Sequence, residues 1–136
     1  MAELHLKVIT PEKLLVDEQV SQVNVSTTQG QIGILPHHTN LMAKLEPGEL
    51  VIKKEGKVES LAIGDGFLQV AENILTVMTD LATYATEIDE QAVEEAKKRA
   101  EQALEQTLSD EEYAETLANL EKSLAQLRVK RRHRVR

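Results

Sequence analysis

Six of the sixteen Lys and Arg residues fall within the last nine positions, as Arg128, Lys130, Arg131, Arg132, Arg134 and Arg136, with no acid among them. All 23 Asp and Glu lie upstream, so a cationic end is attached to an anionic body whose net charge leaves the chain at −7. Guanidinium groups form bidentate pairs with carboxylates and phosphates, and so lopsided a split attracts opposite charge over about a Debye length. Nucleic acid, anionic lipid and an acidic protein face all offer that chemistry. Nucleic acid fits worst. The acidic body repels phosphate, the cations occupy only the last turns, and with no Trp, one Phe and two Tyr there are no stacking platforms. A solvated terminus is the plain reading of such a tail, and among partners an acidic protein groove fits best.

Catalytic and metal-binding patterns are weak. No G-x-S-x-G nucleophile elbow is present. His37 and His38 are adjacent, so on a strand they face opposite sides and cannot share one metal; no metal site is expected. Gly30-x-x-Gly33 and Gly64-Asp65-Gly66 lack the Lys-Ser/Thr that follows in a phosphate loop. Asp80, Asp89 and Asp110 are isolated and read as turn or cap residues. The chain has no cysteine, no apolar run approaching the ~20 residues of a membrane span, and no signal-peptide pattern at its start. The expectation is a soluble intracellular protein that is not an enzyme.

Two elements of different period must position these groups. Up to residue 84 the apolar residues alternate: Leu4, Leu6 and Val8, then Val23 and Val25, Leu50 to Ile52, Val58 to Ile63, Phe67 to Val70, and Ile74 to Met78. Turns are expected at Thr10-Pro11, Gly30, Gly33, Pro36, Pro47-Gly48, Glu55-Gly56, Gly64-Asp65-Gly66 and Glu72-Asn73. All six glycines and all three prolines lie before residue 67. Many short strands at this spacing predict a β-sandwich or flattened barrel over residues 1–84.

Residues 85–136 predict an antiparallel two-helix hairpin, which makes the fold class α+β. Asp89 is the expected N-cap of the first helix, with an apolar stripe of Val93, Ala96, Ala100, Ala103 and Leu104 and i,i+4 pairs Glu94–Lys98 and Glu95–Arg99. Ser109 and Glu112 form a capping box for the second. Its stripe of Tyr113, Leu117, Leu120, Leu124 and Leu127 has the spacing of a helix–helix seam. Alanine contributes little apolar area, so such a hairpin is marginally packed by itself.

Gln29-Gly30-Gln31-Ile32-Gly33-Ile34-Leu35-Pro36-His37-His38, followed by Leu41, resembles the signature loop of the epsilon subunit of bacterial F-type ATP synthases. Val8-Ile9-Thr10-Pro11, Gly64-Asp65-Gly66-Phe67-Leu68-Gln69-Val70, Ile88-Asp89 and Leu124-Ala125-Gln126-Leu127-Arg128-Val129 agree with that family in order and spacing, across essentially the whole chain. The resemblance implies a regulatory and coupling subunit of the rotary enzyme's central stalk, peripheral at the cytoplasmic face of the bacterial membrane without inserting into it. The sandwich would bind the gamma subunit and rest on the c-ring through the portion holding Gln31, Leu35 and His38. His37 stands where the family usually has glycine, and Asn40 where it often has proline. The hairpin would have two states: folded on the sandwich it permits catalysis, and extended along gamma it reaches the alpha and beta subunits and inhibits ATP hydrolysis. The basic end would then meet acidic segments of alpha or beta through Arg128, Lys130, Arg131, Arg132 and Arg134, and would matter only in the extended state.

Some members also bind ATP through an Ile/Leu-Asp-x-x-Arg-Ala motif. Here Ile88 and Asp89 match, but Ala92 replaces the arginine and Val93 the alanine. Arg99 matches a further expected cation, whereas Lys122 and Gln126 stand where arginines are expected. Lysine and glutamine cannot replace bidentate guanidinium contacts. No cofactor is therefore expected to be required, and Mg-ATP binding is expected to be weak or lost. An ATP-sensing binding module is the alternative reading.

Overall fold

The computed structural model describes residues 3–133. Among the described residues nine strands form one hydrogen-bonded sheet that branches at β5. They are β1 (Leu4–Ile9), β2 (Leu14–Val20), β3 (Gln22–Thr27), β4 (Gly30–Ile34), β5 (Leu41–Lys54), β6 (Lys57–Ile63), β7 (Gly66–Ala71), β8 (Ile74–Thr79) and β9 (Ala82–Tyr84). The order β2-β1-β8-β7-β5-β3-β4 continues through β6, which pairs with β5 and β9. All pairings are antiparallel except β1 with β8. Alternation places Leu4, Leu6, Val8, Val23, Val25, Leu68 and Val77 inside, in an aliphatic core with Ile34, Leu45, Leu50, Ile52, Leu61 and Leu75.

The branch depends on β5. Its first part, Leu41 to Leu45, pairs with β7, while Gly48 to Lys54 pairs with β6. Pro47-Gly48, expected as a turn, is the bend inside this 14-residue strand. Proline tolerates the bend because no ladder bond is required there, and a Cβ on Gly48 would fall 2.8 Å from Ser26 Oγ. Gly33 also proves to be in a strand, where a Cβ would lie 2.9 Å from Asn24 Oδ1. Gly66 opens β7 at φ +154°, with room for no side chain: a Cβ would meet Met78 O at 1.9 Å. The alternation missed β2, whose Leu14 and Leu15 break the period beside a bulge at Val8/Ile9. Lys54 on β5 bridges Glu18 of β2 (2.9 Å) and Glu59 of β6 (2.5 Å). Hydrogen bonds donated to both carboxylates hold its ammonium well above the ordinary lysine range, and burial with their charge raises Tyr84 as well.

A 3-10 turn at Ala85–Glu87 leads into α1 (Glu90–Leu104), and α2 (Asp110–His133) returns against the sheet. Asp89 caps α1, its side chain accepting from Ala92 N–H at 3.1 Å. Ser109 Oγ accepts from Glu112 N–H and Glu112 accepts from Ser109 N–H, both at 3.2 Å. These bonds hold the Glu112 carboxyl below its ordinary value.

The helix seam differs from expectation. α2 lies between the strands and α1, and Ser123, Ala125, Leu127 and Val129 are its buried residues. Val129 joins Ala62, Ala85 and Ile88 in a small cluster under the hairpin. Of the expected leucine stripe, only Leu127 is fully buried; Tyr113, Leu117 and Leu124 remain exposed. Regular spacing marks a face, but here the sheet and α1 select a neighbouring one. α1 fully buries Ala100 alone, so its packing is thin. Glu94 pairs with Lys97 (3.8 Å) and with Arg131 rather than with Lys98.

Candidate functional site

The charged end of α2 is engaged in this folded arrangement. Arg131 Nε donates to Glu90 at 3.2 Å and its Nη2 to Glu94 at 2.9 Å, tying the end of α2 to the start of α1. Arg132 pairs with Glu49 on the bent strand β5, a carboxylate only 6 % exposed. Lys130 Nζ donates to Ala85 O at 3.3 Å. Earlier on the helix, Lys122 pairs with Asp80, just after β8. Gly64 makes this last contact possible, since a Cβ there would fall 2.3 Å from Asp80 Oδ1. The expectation that the basic end matters only when extended is thus corrected: its acids of first resort are those of this chain. Arg128 lies at the entrance of a cleft of about 420 Å³ between β5 and α2, lined also by Gln31, Glu46 and Arg132. Arg134 lies outside the described residues.

The residues that matched the nucleotide motif separate into two places. Arg99, Lys122 and Gln126 line a cleft of about 470 Å³ between the helices, with Leu81, Ala96, Thr116 and Asn119. Ile88 is buried in the cluster with Val129, Asp89 is committed to capping α1, and Ala92 faces solvent. Lys122, the central cation of the cleft, is drawn to Asp80. The cleft thus holds one guanidinium, Arg99, beside the Gln126 amide and a lysine already paired with Asp80.

The signature segment also divides. Gln31 sits near the start of β4 and faces the α2 cleft, whereas Leu35 and His38 lie beyond its end. Leu35 is 55 % exposed, and His38 is half-buried with Nδ1–H donating to Thr39 O at 2.7 Å. Missing from the sequence reading was the pairing of Glu49, Glu90 and Glu94 with the basic end. Only their excess over the upstream cations signalled them, since no local pattern links β5 to a helix end some 80 residues later.

This architecture, a β-sandwich followed by a two-helix hairpin, has known counterparts. Residues 3–85 match the family model described as ATP synthase, Delta/Epsilon chain, beta-sandwich domain, and residues 86–131 match the ATP synthase, Delta/Epsilon chain, long alpha-helix domain. The chain belongs to the ATP synthase delta/epsilon chain family. It is 37 % identical over 127 residues to the ATP synthase epsilon chain of Nitratidesulfovibrio vulgaris (strain DP4), covering 93 % of this chain and 95 % of that one. With the ATP synthase epsilon chain of Chloroflexus aggregans the identity is 36 % over 133 residues, covering 98 % and 96 %. Among solved structures, a chain of the Euglena gracilis mitochondrial ATP synthase OSCP/F1/c-ring assembly superimposes with a TM-score of 0.76 at 24 % identity, covering 92 % of this chain and 79 % of that one. That likeness shows a shared fold. Among the described residues no helix is long and apolar enough to cross a membrane.

Proposed function

We propose that this chain is the regulatory and coupling subunit of an F-type ATP synthase, a non-catalytic part of its central stalk at the cytoplasmic face of the bacterial membrane. Its sandwich links gamma to the c-ring, with Leu35 and His38 on the ring-facing side, while Gln31 faces the cleft against α2. Its hairpin inhibits ATP hydrolysis when it leaves the sandwich and carries Arg128, Lys130, Arg131, Arg132 and Arg134 to acidic surfaces of alpha and beta. The observation that carries this reading is the pairing of Arg131 and Arg132 with Glu90, Glu94 and Glu49 on a thinly packed helix. The Arg131 pairs, between partly exposed side chains, contribute on the order of 1 kcal/mol or less each, so that guanidinium can exchange internal carboxylates for those of a partner. A switch requires two states within a few kcal/mol, and a large apolar seam on α1 would forbid that.

The reading has a signed test. Glu90→Gln/Glu94→Gln removes the internal partners of Arg131 and leaves the arginine free for alpha and beta. In a reconstituted enzyme this variant should inhibit hydrolysis more strongly than the parent, by about twofold to tenfold. Unchanged or relieved inhibition would show that these pairs do not hold the folded state.

The nucleotide-sensing alternative has less support. With Ala92 in place of the motif arginine and Lys122 bound to Asp80, the folded hairpin is fastened by its own ion pairs, and Mg-ATP is not needed to hold it.

A further inference from the structure

The segment after β4 adopts a conformation its own residues disfavour. Leu35-Pro36-His37-His38 is a β-turn closed by His38 N–H donating to Leu35 O at 3.2 Å. His37, third in the turn, has φ +64°. Proline in the second place holds φ at about −65° and so excludes the primed turns; a positive φ in the third place then makes the turn type II. Type I and type II differ by a flip of the central peptide, here Pro36–His37, which sends the His37 N–H to opposite sides. Type II calls for glycine or asparagine in the third place, because a larger side chain is strained at positive φ. Histidine favours type I, and the flip would re-aim the residues on either side.

Asn73 supplies what the turn lacks. Its Oδ1 accepts from His37 N–H at 2.7 Å. The orientation of the Asn73 amide is itself fixed, because Nδ2 donates to Glu3 O at 2.8 Å. Its main-chain carbonyl accepts from His5 N–H at 3.2 Å, and the β7–β8 hairpin presents the residue with φ +63°. The acceptor is therefore anchored to three strands and meets the His37 N–H only when the peptide is in the type II orientation. We propose that Asn73 is a positioning residue that selects the type II form of this turn and thereby sets how Leu35 and His38 are presented to the c-ring. The selection of the turn stands on the hydrogen bonds alone; its consequence for the ring rests on the functional reading above.

Asn73→Gly is the informative variant, since glycine keeps the positive φ of residue 73 and deletes only the amide. In nuclear magnetic resonance of the full chain, a strong Pro36 Hα–His37 HN cross-peak marks type II. It should be strong in the parent, weak in Asn73→Gly and retained in Asn73→Asp, which keeps an acceptor oxygen. It should return in Asn73→Gly/His37→Gly, where glycine takes the positive φ unaided. Association with purified c-ring should fall about tenfold in Asn73→Gly and return to within about twofold in the double variant, a rescue that a general loss of stability would not give. A strong cross-peak in Asn73→Gly, or a lost turn that His37→Gly does not restore, would overturn the proposal. Leu35→Asp tests the ring contact separately. If it leaves ring association unchanged, the ring-facing reading fails, while the cross-peak still decides the role of Asn73 in the turn.

Discussion

Ala92 is the residue at which this chain departs most sharply from the nucleotide-binding pattern. It faces solvent one turn into α1, while Arg99, Lys122 and Gln126 line the cleft beyond it. A guanidinium contact to phosphate is charge-assisted and contributes about 1.5–3 kcal/mol. Ala92→Arg should accordingly raise Mg-ATP affinity about tenfold or more in calorimetry, from a parent that shows no micromolar binding. Micromolar heat from the unsubstituted chain would contradict the account of the cleft. The substitution itself is legible in the sequence. What the sequence hides is that Lys122 has another partner, since Asp80 lies far away along the chain and meets it only because Gly64 leaves room for the carboxylate.

α2 illustrates what patterns along one element reveal. Its start was legible because capping is local: Ser109 and Glu112 are three residues apart and satisfy each other's backbone amides. Ser109→Ala should cost roughly 1 kcal/mol at neutral pH. The sign of its pH dependence follows from Glu112, whose carboxyl is held below its ordinary 4.5 by Ser109. Stability from this cap is present above that ordinary value and is lost as pH falls through the lowered one. The difference between parent and Ser109→Ala in thermal unfolding should therefore shrink on acidification. A constant difference would rule out the carboxylate's part. The burial of α2 was not legible, because its stripe from Tyr113 to Leu127 suits a helix that packs on one side, whereas α2 lies between α1 and the strands and is buried on two, Ser123 with Leu127 and Ala125 with Val129. Val129 packs with Ala62 of the sheet and Ala85 of the turn before α1. Likewise only Leu50 to Ile52 of β5 was legible, because a proline-glycine pair ordinarily ends a strand, and here the strand runs through it from one partner to another.

At the scale of the molecule, the sequence divides where its period changes, and that division was readable without tertiary information. The charge asymmetry was equally visible, but its meaning changes on folding. Within the described residues Arg131 and Arg132 pair with Glu90, Glu94 and Glu49; on the proposed reading the same groups hold the hairpin down and act once it is up. That reading requires the two arrangements to lie close in free energy, and the thin packing of α1 favours it. The most direct test of that role is truncation after Leu108 in a reconstituted enzyme, which removes α2 and leaves the sandwich and α1. ATP hydrolysis should rise while coupled synthesis survives; hydrolysis unchanged by the truncation would contradict the inhibitory role of the hairpin.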